Sequence, residues 1–185
     1  MPSKIREIKE RYPDKKVTVW FQDEARVGQH GTLAHVWAKT GSRPRILRDI
    51  RFEYAYIFGA ICPELKTASA FVCSGVGSEE TNLHLKEISH SLAANIHAII
   101  IIDRAPWHRS VVVPDNISII YLPPYSPELN PVEQVWDFLR SNYLSNRVYE
   151  TIEDIFEACC KAWNLFAQQS DVINSIGTRS WITQD

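Results

Sequence analysis

The chain lacks a long hydrophobic run. None of its segments approaches the ~20 consecutive apolar residues that a membrane-spanning helix needs. Its N-terminus, MPSKIREIKERYPDKK, is polar and basic rather than an apolar leader. A cytoplasmic protein with no membrane association is therefore expected. An excess of one charge is also missing: the net charge of −2 provides no global field for nucleic acid. The four cysteines, Cys62, Cys73, Cys159 and Cys160, show neither CxxC nor Cys/His zinc spacing, which points to reduced thiols. Glycine is sparse, and there is no glycine-rich phosphate loop, no GxSxG and no HExxH. These absences disfavour P-loop nucleotide hydrolysis, serine esterase chemistry and zincin proteolysis. With no internal repeat and no low-complexity linker, 185 residues suggest one domain with a substantial core.

What is present is a set of apolar runs that end in acids. VTVWFQDE at 17–24 reads as a strand buried on both faces, and it ends in Asp23 and Glu24. AIIIID at 98–103 ends in Asp103. An acid at the end of such a strand is costly unless something pairs with it. Alternation puts Asp23 on the face of Val17, Val19 and Phe21 and turns Glu24 the other way. By the same rule Asp103 shares a face with Ile99 and Ile101. Each aspartate also fits an ordinary strand-end residue that caps a turn.

The third acid is Glu133, in SPELNPVEQVW at 126–136. Asn130 suits a helix N-cap, Pro131 the first helical position, and Glu133 falls three after the cap. That pattern is a capping box. A metal ligand is the alternative, and the positive helix N-terminus keeps the carboxylate ionised in either role. Three such acids brought together invite a divalent cation, and the cation suggests chemistry on phosphate.

Several cations accompany the acids. Arg140 lies seven residues after Glu133 on the same helical face, with Asp137 between them as a local ion-pair partner. It reads either as a surface pair or as a grip on a DNA phosphate. Arg43, Arg45 and Arg48 lie in GSRPRILRDIR, which is either a solvated surface or a phosphate-binding edge. Arg104, His108 and Arg109 lie in DRAPWHRS, a loop placed to contact substrate or neighbouring carboxylates.

The remaining pattern predicts a basic helix over 1–11 and a hairpin from 25–30 and 34–39. A strand pair is expected at 54–62 and 66–74. Ser78 is the expected cap of a helix over 79–94, with Leu83, Ile88 and Leu92 facing inward. A strand follows at 118–122, then helices over 131–143 and 151–168. This order describes a mixed sheet with helices packed on it, an α/β layer architecture.

The blocks FQDEARVG, HVWAKTGSRP, IIIDRAPWH and LPPYSPELNPVEQVWDFLR resemble the catalytic domain of DDE transposases (DDE superfamily endonucleases), in the bacterial insertion-sequence branch of the Tc/mariner superfamily. The resemblance covers roughly residues 17 to 145. It implies a ribonuclease H-like fold: a mixed five-stranded sheet with helices on both faces. The corresponding division of the chain is a basic segment at 1–16, the catalytic domain at 17–170 and a tail at 171–185. Asp23, Asp103 and Glu133 would be the catalytic triad and would hold two Mg²⁺ or Mn²⁺ ions. Arg140 matches a basic residue that recurs seven positions after the catalytic Glu. The implied activity is cleavage at transposon ends and transfer of the 3′-OH into target DNA at a TA step. A nuclease without strand transfer and an inactive DNA-binding or assembly fragment are the rival readings. The implied partners are DNA, a separate N-terminal helix-turn-helix portion and a second copy of the chain in an active homodimer. One departure is Arg104, where the family usually has Asn after the second Asp.

Overall fold

The computed structural model describes residues 1–29, 39–42, 52–179 and 181. Its centre is a five-stranded sheet: β1 (Lys16–Gly28), β2 (Tyr54–Cys62), β3 (Thr67–Cys73), β4 (Ile96–Ile102) and β5 (Ile117–Tyr121). The spatial order is β3-β2-β1-β4-β5. β1 pairs antiparallel with β2 and β2 with β3, whereas β4 runs parallel to both β1 and β5. The sheet is thus mixed, as expected. The hairpin arm predicted to start at residue 25 is instead the continuation of β1 to Gly28. Residues 34–38 of its partner lie outside the described residues.

β4 is buried along almost its whole length because both sheet faces are covered. One face carries Val19, Phe21, Ile99 and Ile101. On it pack α1 (Pro2–Arg11), α3 (Val132–Leu139), α4 (Ile152–Ala167) and α5 (Ser170–Gly177), contributing Ile5, Trp136, Trp163 and Ile173 among others. The other face carries Trp20, Ile100 and Ile102 and is covered by Leu85 and Ile88 of α2 (Ser78–Ser91). Helices therefore lie on both faces, each presenting a stripe of apolar side chains to the sheet.

Several local expectations are corrected. Ser78 does not cap α2; Gly77 takes the N-cap position, and the Ser78 hydroxyl donates instead to the Trp107 carbonyl at 2.8 Å. Leu83 is 56% exposed, and the buried side of α2 is Thr81, His84, Leu85 and Ile88. The phase of the stripe is off because two polar residues, Thr81 and His84, are buried, which apolar periodicity does not register. The helix predicted over 131–143 is regular only to Leu139 and widens into a π-helical turn over Arg140–Leu144. A capping box does occur, but at α4: the Thr151 side chain accepts from the Asp154 N–H, and Asp154 accepts from the Thr151 N–H.

Gly59 sets how closely α3 and α4 approach the sheet. It pairs with Asp23 across β1 and β2. A Cβ atom there would lie 2.6 Å from both Trp136 and Trp163, so the two indoles can lie on the sheet only because position 59 has no side chain. Gly59→Ala is expected to destabilise the fold by roughly 1–3 kcal/mol, the usual cost of overpacking, and to displace Trp136. Urea denaturation with tryptophan fluorescence measures both; unchanged stability and emission would refute this packing role.

Candidate active site

The register of the sheet brings two of the three acids level. Phe21 stands opposite Ile101 in the parallel β1–β4 pair, so Asp23 and Asp103, each two residues further on, occupy equivalent heights on neighbouring strands. The third acid arrives with α3, which is fastened to β1 at two points. The Asn130 side-chain amide donates to the Gln22 carbonyl at 3.1 Å, and the Trp136 indole N–H donates to the Asp23 carboxylate at 2.9 Å. Glu133 lies between these anchors, in the first turn of α3. The result is a cavity of about 520 Å³ lined by Asp23, Asp103 and Glu133, with Arg104, Arg109 and the loop Leu122–Pro127 on its wall.

Glu133 does not form the capping box that its sequence context predicts. Pro131 is the N-cap, and the Asn130 side-chain oxygen accepts from the Val132 N–H at 3.2 Å. The Asn130 N–H is already used by the Pro127 carbonyl, so it has no need of the Glu133 carboxylate. Glu133 is left exposed on the cavity wall, with a long side chain able to swing inward. Among the described residues no three His, Cys, Asp or Glu side chains stand close enough to hold one ion.

The acids differ in electrostatics. Burial pushes the Asp23 carboxyl up to about 7; the Trp136 hydrogen bond opposes this, and the negative charges of Glu24 and Glu133 add to it. Among the described residues no cation is paired with Asp23. Asp103 is held below its ordinary value, chiefly by the hydrogen bond from His108 and also by the Ala105 N–H.

His108 is the residue that ties the site to the far side of the sheet. Its Nδ1 lies 2.8 Å from Asp103 and its Nε2 3.0 Å from Glu24. Burial alone would lower the His108 pKa, but these two carboxylate contacts outweigh it and push the value up to about 9. The imidazolium is thus shared between two acids. Glu24 does point away from Asp23, as alternation requires, yet it reaches the site through His108. Sequence reasoning passed over Glu24 because the bridge comes from a residue 84 positions away. The side-chain amide of Gln22, fully buried on the same face, also donates to Glu24 at 2.8 Å.

The cations sort into three groups. Arg104 and Arg109 are exposed on the cavity wall. Arg104 is anchored through its Nε to the Leu122 carbonyl at 2.9 Å, and among the described residues it forms no ion pair with Asp103. His108 is fully buried, so it contacts carboxylates and is not available to DNA, which corrects the substrate-contact reading. Arg140 pairs with Asp137 at 2.9 Å, starts the π turn and is not part of the cavity wall. Arg43, Arg45 and Arg48 lie outside the described residues.

The profile of the DDE superfamily endonucleases matches residues 18–156, a span that contains all three cavity acids. The chain belongs to that family of endonucleases. It is 47% identical over 130 residues to the uncharacterized protein y4pE/y4sA of Sinorhizobium fredii, covering 69% of this chain and 96% of that protein. Its backbone is similar to that of the Mos1 strand transfer complex, with a TM-score of 0.57, 15% identity and 96% of this chain covered. Similarity to the Mos1 mariner paired end complex with Mn is equivalent, at a TM-score of 0.58 and 14% identity. These likenesses establish a ribonuclease H-like fold. The chain spans 61% and 62% of the lengths of those two Mos1 chains.

The charge of His108 makes the site's contribution to stability depend on pH. The His108 pKa is raised on folding, so the stabilisation is complete below the unfolded value of about 6.5 and is lost as pH rises through about 9. Glu24→Gln is therefore expected to destabilise by roughly 1–3 kcal/mol between pH 5 and 6.5, with the difference from wild type shrinking as pH rises past 9. Urea titrations of both proteins across that range test this; a constant difference would mean that Glu24 acts by packing alone.

Proposed function

We propose that this chain is the catalytic portion of a transposase, which cuts DNA at transposon ends and joins the freed 3′-OH to target DNA. The observation that carries the reading is that Asp23, Asp103 and Glu133, from the ends of two strands and the start of a helix, all line one cavity that also bears two arginines. The family and the Mos1 likeness support it.

The donor chemistry of these residues fits a divalent cation, which would draw the three side chains together. Asp23 is a desolvated carboxylate that accepts from the Trp136 indole N–H and the Glu24 backbone, with further negative charge around it. Such a group stays ionised at neutral pH most easily beside a cation. The donors are hard carboxylate oxygens, which suit Mg²⁺ or Mn²⁺. Asp23, Asp103 and Glu133 would hold two such ions, which when bound activate the attacking oxygen and neutralise the leaving one.

The chain's own residues supply the rest. His108 and the Ala105 N–H keep Asp103 ionised and fix its orientation. Trp136 fixes Asp23. Arg104, held by the Leu122 carbonyl, and Arg109 are placed to receive phosphate oxygens at the cavity mouth. Backbone contacts of this kind carry no sequence information, so end recognition is assigned to a helix-turn-helix portion separate from these residues. An active homodimer is part of the same reading.

Incubation with Mg²⁺ or Mn²⁺ and a transposon-end duplex should produce nicking. A pre-cut 3′-OH end should be joined to a target plasmid. Nicking without joining would reassign the chain as a nuclease; neither reaction, with DNA binding retained, would make it an assembly fragment. Asp23→Asn should reduce nicking to background, because a neutral amide is a poor ligand for a hard cation. Undiminished nicking by that variant would remove Asp23 from the proposed triad.

Arg140→Ala should weaken DNA binding and lower the salt slope by about one unit if Arg140 grips a phosphate. Its ion pair with Asp137 is exposed and contributes at most about 1 kcal/mol to folding. Binding isotherms at several salt concentrations decide; an unchanged slope assigns Arg140 to the surface pair alone.

A further inference from the structure

Gln22, Glu24 and His108 form a row of buried polar side chains behind the cavity. Gln22 and Glu24 are two apart on β1, so alternation puts them on one face, away from Asp23. The row meets on one atom: Glu24 Oε1 accepts from Gln22 Nε2 at 2.8 Å and lies 3.0 Å from His108 Nε2. Gln22 keeps this orientation although its own Oε1 is left buried with no hydrogen-bond partner among the described residues. The reverse orientation would set two acceptor oxygens against each other. The side chains of His108 and Glu24 are only 1% and 7% exposed. Ion pairs so deeply buried seldom make a fold more stable than apolar side chains of similar volume would. Fold stability alone therefore does not account for the row.

The row ends on Asp103. His108 Nδ1 lies 2.8 Å from Asp103 Oδ1, and the Ala105 N–H donates to that same oxygen at 2.8 Å. Both acceptor sites of Oδ1 are thus in use. Among the described residues no hydrogen bond reaches Oδ2. Asp103 stands just past the end of β4 with its side chain half exposed, so these two donors, rather than packing, fix its carboxylate. The His108 backbone is held by the Ala105 carbonyl and the Tyr121 hydroxyl. Its ring has Glu24 as the partner of Nε2. Removing Glu24 would leave a buried ring nitrogen unpaired, which favours a turned ring.

We infer that Glu24 is a positioning residue for the cation site: through His108 it holds Asp103 with Oδ1 saturated, leaving Oδ2 as the single oxygen offered to a divalent cation. This rests on the cation reading proposed for the acid-lined cavity and adds to it a determinant of affinity that lies outside the cavity wall. Strand β1 then serves both aspartates, supplying Asp23 itself and orienting Asp103 through Glu24.

The test is Mn²⁺ binding by the full chain, read from the EPR signal of the free ion, with urea denaturation confirming that each variant is folded. Outer partners of metal ligands typically change affinity by about 10- to 100-fold, and Glu24→Ala should weaken Mn²⁺ binding by that amount. Glu24→Gln should stay within about threefold of wild type, because an amide can meet the imidazole as acceptor or as donor and still hold the ring. His108→Ala should weaken binding as Glu24→Ala does. Combining the two should add nothing, since Glu24 acts only through His108. A Mn²⁺-soaked crystal of the wild type should show the ion on Asp103 Oδ2, with Oδ1 still bonded to His108 and Ala105. That measurement decides even if Glu24→Ala does not fold.

Unchanged Mn²⁺ affinity in folded Glu24→Ala would overturn the inference. So would a Glu24→Gln as weak as Glu24→Ala, additive losses in the double variant, or an ion bound through Oδ1. Nicking is measured in parallel. Any of those results beside a wild type that binds Mn²⁺ and nicks DNA defeats the positioning role and leaves the proposed function standing. Glu24-dependent Mn²⁺ binding in a chain that never nicks does the reverse. A wild type that binds no Mn²⁺ removes both the cation site and its positioning residue.

Discussion

Asp23 is a carboxylate drawn out of water in the middle of a strand, with no cation beside it among the described residues. Its presence there constrains much of the surrounding packing. Gly59, its cross-strand neighbour, must lack a side chain so that Trp136 can lie flat enough for its N–H to reach the carboxylate. Trp136 in turn fixes α3, and α3 brings Glu133 to the cavity. A group that would be unfavourable in an ordinary core is tolerated because hydrogen bonds from Trp136 and the Glu24 backbone and an open cavity share the load.

The second aspartate is managed in the opposite way. Asp103 has a cationic partner in His108 at neutral pH, which is itself clamped by Glu24 from the other side of the sheet. The two carboxyls are therefore pushed apart in pKa, one up to about 7 and the other below its ordinary value. Burial drives the first shift and the His108 contact the second. The clamp also makes Glu24 and His108 part of the site's construction although neither reaches its cavity.

The cavity wall then combines acids, for a cation, with arginines, for an anion. Arg104 stands directly after an acid of the site, yet it bonds to the Leu122 carbonyl and turns its charge to the mouth. A cation so close to a carboxylate need not neutralise it when a backbone carbonyl holds the guanidinium elsewhere.

The sequence alone was enough to identify the strands ending in Asp23 and Asp103, because runs such as AIIIID are too apolar to lie anywhere but in a doubly covered sheet. It also singled out the approach to Glu133, since prolines and Asn130 mark a helix start wherever they occur. Periodicity misplaced the inner face of α2, because buried Thr81 and His84 are polar, and it carried the helix after Pro131 past its π turn. Local pattern also put the capping box at Glu133 rather than at Thr151 and Asp154, since a box forms only if the cap's N–H is free. Only the tertiary structure could decide that the Asn130 N–H is already used by Pro127, leaving Glu133 on the cavity wall. It alone could join Glu24 to Asp103, because the joining residue comes from a distant loop and side-chain alternation describes one strand at a time. Patterns within a segment are set by local backbone geometry, whereas the site is made of contacts between segments, whose partners no single segment encodes.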